Sequence, residues 1–191
     1  MHFPIIHDSS FVNPNDIIFQ PSQFNSRIGY ISPIKLKQYL NESVFIQANA
    51  LSSCTELCKT DDISINIKGS NNFPLFKLFE SIDKMIIDGS EKIFNVENIK
   101  DYVYDPIIKN ENGINYVNIK FLFNFVTHKI DSSFFLNKNI MVTDIKSGID
   151  VQTYINQHNN FDMILKINHV LFNKDTKTYK IMIKCVSMKF N

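Results

Sequence analysis

Residues 101–127 read DYVYDPIIKNENGINYVNIKFLFNFVT, and the fold is read outward from them. After the polar break Asn110-Glu111-Asn112-Gly113, Val117, Ile119, Phe121, Phe123 and Phe125 alternate with Asn118, Lys120, Leu122, Asn124 and Val126. Side chains on a strand alternate between faces, so the first set predicts a core strand over 116–127. Asn118, Lys120 and Asn124 leave the opposite face partly polar. An aromatic and proline turn, Tyr102-Val103-Tyr104-Asp105-Pro106, precedes it, followed by Lys109. Tyr104, Lys109, Tyr116 and Lys120 therefore sit just before or on a rigid strand, a placement that suits a binding surface.

Working outward, 161–172 and 178–190 alternate in the same way. Met163, Leu165 and Ile167 share one face of the first run. Tyr179, Ile181, Ile183 and Cys185 share one face of the second. The polar link Asn173-Lys174-Asp175-Thr176-Lys177 predicts an antiparallel hairpin. Towards the N-terminus, DISINIK (62–68) predicts a half-buried strand and Val44–Ala48 a short one. The segment 28–37 alternates loosely, and Pro33 marks it as an edge or a bulge. Between these strands, Phe73–Phe94 places Leu75, Leu78, Phe79, Ile82, Met85 and Ile86 at helical spacing. Asn72 is the expected N-cap and Pro74 suits the first turn. Val96–Val103 and Val151–Gln157 read as short helices, Asn139–Ile145 as a strand, and Ser132–Asn139 as a loop exposing Phe134 and Phe135. Residues 1–15, with Pro4 and Pro14, read as an irregular arm carrying Phe3, Ile5, Ile6 and Phe11. The expected architecture is mainly β with one inserted helix near 74–94 (α+β), in a single domain over 16–191. A small OB-fold-like β-barrel with embellishments is the economical form, and a β-sandwich is the alternative.

The chain has 191 residues, is 44% hydrophobic, and contains 17 Phe and no Trp, enough for one substantial core. Arg27 is the only arginine, and Ile, Asn and Lys are abundant, a bias that suggests an AT-rich genome. The formal charge is +1, so any nucleic-acid footprint has to come from local clustering. Three cysteines, Cys54, Cys58 and Cys185, and no secretory signal at Met1–Ile6 point to a reducing intracellular compartment. No apolar run reaches membrane-spanning length.

Catalytic patterns are lacking. Cys54 and Cys58 have no second ligand pair nearby, so no metal is expected. The histidines His2, His7, His128, His158 and His169 form no ligand motif, and His169, in phase with Leu165 and Ile167, reads as a core or rim residue. There is no phosphate loop and no nucleophile elbow. A non-enzymatic protein without cofactors is expected. What remains is lysine interleaved with aromatics: Lys35 and Lys37 beside Tyr30 and Tyr39, Lys109 and Lys120 around Tyr116 with Tyr104 before them, and Lys166, Lys180 and Lys184 opposite the core phase of the last hairpin. Lysines neutralise phosphates and rings stack on unpaired bases. A solvated lysine face and packed tyrosines are the competing reading.

The order of the motifs adds to this. Ile17–Tyr30 contains Phe19, Pro21, Asn25 and Gly29. Phe45-Ile46-Gln47, DISINIK and the helical segment Leu78–Lys84 follow. Then come Tyr104-Asp105-Pro106-Ile107-Ile108-Lys109 and Tyr116-Val117-Asn118-Ile119-Lys120-Phe121. Val170-Leu171-Phe172 and a last strand through Lys180–Val186 close the series. Over roughly residues 16–188 this order resembles the single-stranded-DNA-binding proteins of nucleocytoplasmic large DNA viruses. Those are similar to the OB-fold single-strand binders of short-tailed coliphages. The resemblance implies protection of unpaired DNA during viral replication, recombination or repair, in the host cytoplasm or the virion. Replication proteins and a second copy of the chain would be further partners. The residues expected to contact DNA are Tyr104, Lys109, Tyr116 and Lys120, then Lys35, Tyr30, Lys166 and Lys180. The sequence also departs from the pattern. Gln23 and Tyr30 replace basic residues, Ala48-Asn49 replaces Thr-Pro, the last hairpin lacks Gly and Trp, and Met188–Asn191 is not the acidic tail of the phage proteins. The alternative expectation is a structural or interaction protein, a virion component or replication adaptor with the same barrel and no DNA site. A nuclease is the third reading, and the missing carboxylate cluster argues against it.

Overall fold

A computed structural model describes residues 5–25, 29–53, 64–69, 73–136, 140–158 and 160–191. The strands, in chain order, are β1 (Ile6–Asp8), β2 (Ile17–Phe19), β3 (Gln23–Asn25), β4 (Gly29–Leu36), β5 (Val44–Ser53) and β6 (Ser64–Lys68). The helix α1 (Pro74–Ile93) is followed by β7 (Val103–Tyr104), β8 (Ile108–Glu111), β9 (Ile114–Phe121), β10 (Phe123–Asn124), β11 (Lys129–Ile130), β12 (Ser133–Leu136) and β13 (Ile140–Val142). The helix α2 (Gly148–Gln157) precedes the long hairpin β14 (Phe161–Asn173) and β15 (Thr178–Phe190). The architecture is mainly β with two α-helices, and α1 is inserted midway as the periodicity predicts.

The β14–β15 hairpin organises the sheet. Its alternation buries Phe161, Met163, Leu165 and Ile167 from one strand and Tyr179, Ile181, Ile183 and Cys185 from the other. Asn173 Oδ1 accepts from the N–H groups of Asp175 and Thr176 at 2.9 and 3.1 Å and closes the turn. On its outer edge β14 meets β5 antiparallel over 161–167 and β4 over 169–172. The free edge of β15 is taken in turn, always in parallel, by β7 at Thr178–Tyr179, β9 at Lys184–Cys185 and β12 at Ser187–Lys189. β6 pairs antiparallel with both β5 and β9. Among the described residues the β5–β6 and β9–β15 joints hold two residue pairs each, and the sheet is not closed into a barrel.

The core is aromatic around Phe94, the C-cap residue of α1. The Phe172 ring stacks on Tyr179 at 5.0 Å and 12°, and Phe94 meets it edge-on at 5.1 Å. Such pairs contribute about 0.5–1.5 kcal/mol each beyond their burial. Leu75, Phe76, Leu78, Phe79, Ile82 and Ile86 form the buried stripe of α1. Pro74 opens the helix as expected, and Phe73 is the N-cap residue without a side-chain cap bond; Asn72 lies outside the described residues.

Several expectations are corrected. The core strand of the opening stretch ends at Phe121. Phe123 is only half-buried and Phe125 is 77% exposed, in a separate β10–β11 hairpin. Residues 133–136 are not a loop. They form β12, which pairs with both β15 and β13, and Phe134 is buried against Phe121 and Phe190. Residues 96–103 make only a 3-10 turn at Ile99–Asp101 before β7. β4 is not an edge strand. Pro33 is tolerated because it sits between the stretches paired with β3 and β2, and at the last pair with β14. The arm is partly ordered: β1 runs parallel to β5. Cys54, Cys58 and Ile63 lie outside the described residues.

Candidate nucleic-acid interface

The outward phase of the central strands carries the cations. Register pairing aligns Lys166 on β14 with Lys184 on β15, and Lys184 with Lys120 on β9. Cross-strand partners share a face and strands lie about 4.8 Å apart, so three lysines form a row across three strands. Among the described residues none of the three has an acidic partner. At about 5 Å two unit charges repel by about 0.8 kcal/mol in a water-like dielectric. The fold tolerates that cost, but nothing in folding selects for it. Lys166 Nζ lies 5.7 Å from the Phe45 ring centroid, which extends the row onto β5. His169 is half-buried on this side, opposite Met182. Burial, then the charges of Lys184 and Lys166, hold its imidazole below the ordinary pKa, so it is neutral at pH 7. The expected core phase of His169 is lost because a bulge between Ile167 and His169 shifts the register.

β9 continues the face with Tyr116, Asn118 and Lys120, behind which Val117, Ile119 and Phe121 are buried. Tyr116 lies between Lys109 of β8 and Lys68 of β6. Asn118 donates to Asn66 Oδ1 at 2.8 Å, which fixes the polar centre of the strip.

Between β7 and β9, residues 180–183 of β15 have no strand partner on that edge among the described residues. A cleft of about 80 Å³ opens there, lined by Lys109, Lys120, Lys180, Asn118, Asp105 and Ile181 among others. Lys109 is ion-paired with Asp105. Lys120 and Lys180 have no such partner among the described residues.

One buried carboxylate builds this wall. Asp83 of α1, 7% exposed, accepts from Tyr104 Oη at 2.6 Å and from the N–H groups of Ile107 and Ile108 at 2.9 and 3.0 Å. Burial raises its carboxyl above the ordinary value, against the pull of these donors and of Lys109. Burial and then Asp83 push the Tyr104 phenol far up, so it remains a donor. Replacing Asp83 by Ala strands three donors, each costing about 1–3 kcal/mol where water cannot replace the acceptor. The expected loss is about 3 kcal/mol, or about 6–12 °C in melting temperature for a chain of this size. A thermal shift below about 2 °C would show that the tether does not hold the segment.

The structure thus brings Lys109, Tyr116, Lys120, Lys166 and Lys180 onto one side of the sheet. It gives Tyr104 to packing: the ring lies 5.1 Å from Tyr179 and the hydroxyl is held by Asp83. Tyr30 follows the inward phase of Ser32 and Ile34 and packs against the core, edge-on to Phe24. It pairs with Phe172, six residues along β14 from Lys166 and so about 20 Å away. Lys35 donates to the carbonyl of Glu42 at 2.9 Å. Lys68 is a face residue that the sequence reading passes over, while Lys184 and Asn118, read there as outward-facing, join the face beside the expected contacts. The signal for Lys184 is its phase, shared with Lys180 in the hairpin.

Among the described residues there is no group of three His, Cys, Asp or Glu placed to hold a metal, and no helix long and apolar enough to cross a membrane. No family model matches the chain, and no curated protein matches it significantly.

Proposed function

We propose that the protein binds single-stranded DNA without catalysis, on the outward face of β6, β9, β15 and β14. The observation that carries this reading is the row Lys166–Lys184–Lys120, aligned by strand register and free of acidic partners among the described residues. Such a row tracks a phosphate backbone, and Tyr116 and Phe45 supply rings beside it for unpaired bases. Duplex DNA offers no exposed base faces, so single strands are preferred.

An OB-like barrel is part of the proposal. Its support is the circuit of pairings: β5–β6, β6–β9, β15–β14 and β14–β5 antiparallel, with β9–β15 parallel. Five strands so connected have the Greek-key order of an OB-fold, whose second and third strands carry the oligonucleotide face. Here those are β6 and β9. The two-pair joints correspond to a partly open barrel, and α1 lies between the second and third strands. The motif order resembling viral single-strand binders agrees with the reading and suggests a role in replication, recombination or repair.

The test is fluorescence anisotropy with a labelled oligothymidylate of about 20 nucleotides and a matched duplex, over a salt series. Contacts from Lys120, Lys166, Lys180 and Lys184 predict a log–log salt slope of about −3, from about 0.7 per phosphate. Tighter binding to the single strand is expected. Equal binding to duplex, or none at low salt, would overturn the reading.

One observation favours the alternative of an interaction protein. β13 ends the sheet with Ile140 and Met141 about 60% exposed and no further strand beside it among the described residues. Such an edge is a template for strand addition. Light scattering without DNA would show assembly if this edge is used.

A further inference from the structure

The β10–β11 hairpin carries Phe125 and Val126 into solvent, 77% and 91% exposed, although their alternation continues that of a core strand. The projection is a hydrogen-bonded hairpin. Phe123 pairs with Ile130 and Asn124 with Lys129. Asn124 Oδ1 accepts from the N–H groups of Val126 and Thr127 at 3.0 and 3.1 Å, and His128 takes φ 52° to close the turn. The Phe123 ring supports Phe125 edge-on at 5.2 Å. At the root, Asp131 N–H donates to Leu122 O at 2.7 Å. Leu122 N–H donates to Ser132 Oγ at 2.9 Å, and that hydroxyl donates to Cys185 O at 2.7 Å.

These bonds fix where the hairpin stands. Phe121 is the residue after Lys120, and Cys185 the residue after Lys184; the two are register partners. The projection therefore leaves β9 just past the lysine row, its root residue Leu122 two positions after Lys120 and tied through Ser132 to Cys185, the neighbour of Lys184. A further lysine, exposed Lys129, lies on the hairpin itself.

We infer that this hairpin is a base-stacking finger, with Phe125 as the platform for an unpaired base of the strand whose phosphates lie on Lys120 and Lys184. The inference rests on the single-stranded-DNA reading and adds a residue to it. The argument is one of complementarity. A ring left in water, on a hydrogen-bonded hairpin that carries Lys129 and follows Lys120 in the chain, fits a partner with a flat apolar face and a negative backbone. An unpaired nucleotide has both. Stacking of one base on an aromatic side chain strengthens binding about tenfold.

The test compares the parent protein with Phe125→Ala and Phe125→Trp by anisotropy, on an oligothymidylate and on an abasic oligonucleotide of equal length. Phe125→Ala is expected to weaken oligothymidylate binding about tenfold, with unchanged salt slope and melting temperature. On the abasic strand parent and variant should bind alike, and Phe125→Trp should restore affinity. Unchanged affinity of Phe125→Ala for oligothymidylate would overturn the finger and leave the lysine face standing. An equal loss on both strands would overturn stacking. Failure of the parent to bind either strand would instead overturn the single-stranded-DNA reading on which the finger depends.

Discussion

A triple variant, Lys120→Ala with Lys166→Ala and Lys184→Ala, is expected to bind single-stranded DNA about a hundredfold more weakly than the parent at ~0.1 M salt. The figure follows from counterion release. Three phosphate contacts at about 0.7 each carry a slope of about two, hence about two decades of affinity at that salt. The log–log slope should fall by the same two units. The three residues are half-buried, are register partners, and have no acid to leave unpaired among the described residues. Their loss should therefore leave the melting temperature unchanged or slightly raised, since like-charge repulsion across the strands is relieved. A matched variant on α1, Lys77→Ala with Lys84→Ala and Lys92→Ala, removes the same formal charge from exposed positions. Equal weakening in both variants would mean that general charge, not the row, holds DNA.

The second large effect concerns the scaffold. Gly29→Ala is expected to destabilise the fold by about 3 kcal/mol or more, lowering the melting temperature by about 6–12 °C. Gly29 has φ +99°, and a Cβ there would lie 2.2 Å from the carbonyl oxygen of Phe172. Both partners are backbone in adjacent strands, so neither can yield without opening the β4–β14 pairing. Phe172 is moreover the ring that Phe94, Tyr102 and Tyr179 pack against. Gly113 is the control: it has φ +78° and nothing within 4 Å of its added Cβ. Gly113→Ala has only the backbone strain to bear, about 1–2 kcal/mol. Equal shifts in the two variants would contradict the close approach of β4 to β14.

Strand periodicity made much of this fold legible. Val117, Ile119 and Phe121 are core residues as their alternation says, and the β14–β15 hairpin and α1 fall where their spacing places them. Phe123 and Phe125 were not legible as surface residues, because alternation cannot show where a strand loses its neighbour. β9 ends when the edge of β15 passes from Phe121 to β12, and Ser132 takes over the amide of Leu122. His169 leaves the phase of Leu165 and Ile167 for a similar reason and is a half-buried residue of the rim: one bulge flips every later residue of the strand. Part of the candidate face could be read locally, since Lys109, Tyr116 and Lys120 share one short segment. The row could not, because Lys120 and Lys184, 64 positions apart in sequence, meet only through the parallel pairing of β9 with β15. Tyr104 carried the right residue type in the right neighbourhood, yet its hydroxyl answers to Asp83 in the helix.

Lysine-acylation footprinting by mass spectrometry, with and without saturating oligothymidylate, tests the central claim most directly. The account predicts that Lys120, Lys166, Lys180 and Lys184 are protected by the oligonucleotide while Lys77, Lys84 and Lys92 on α1 label as before. Protection of the α1 lysines with continued labelling of Lys120, Lys166 and Lys184 would contradict it.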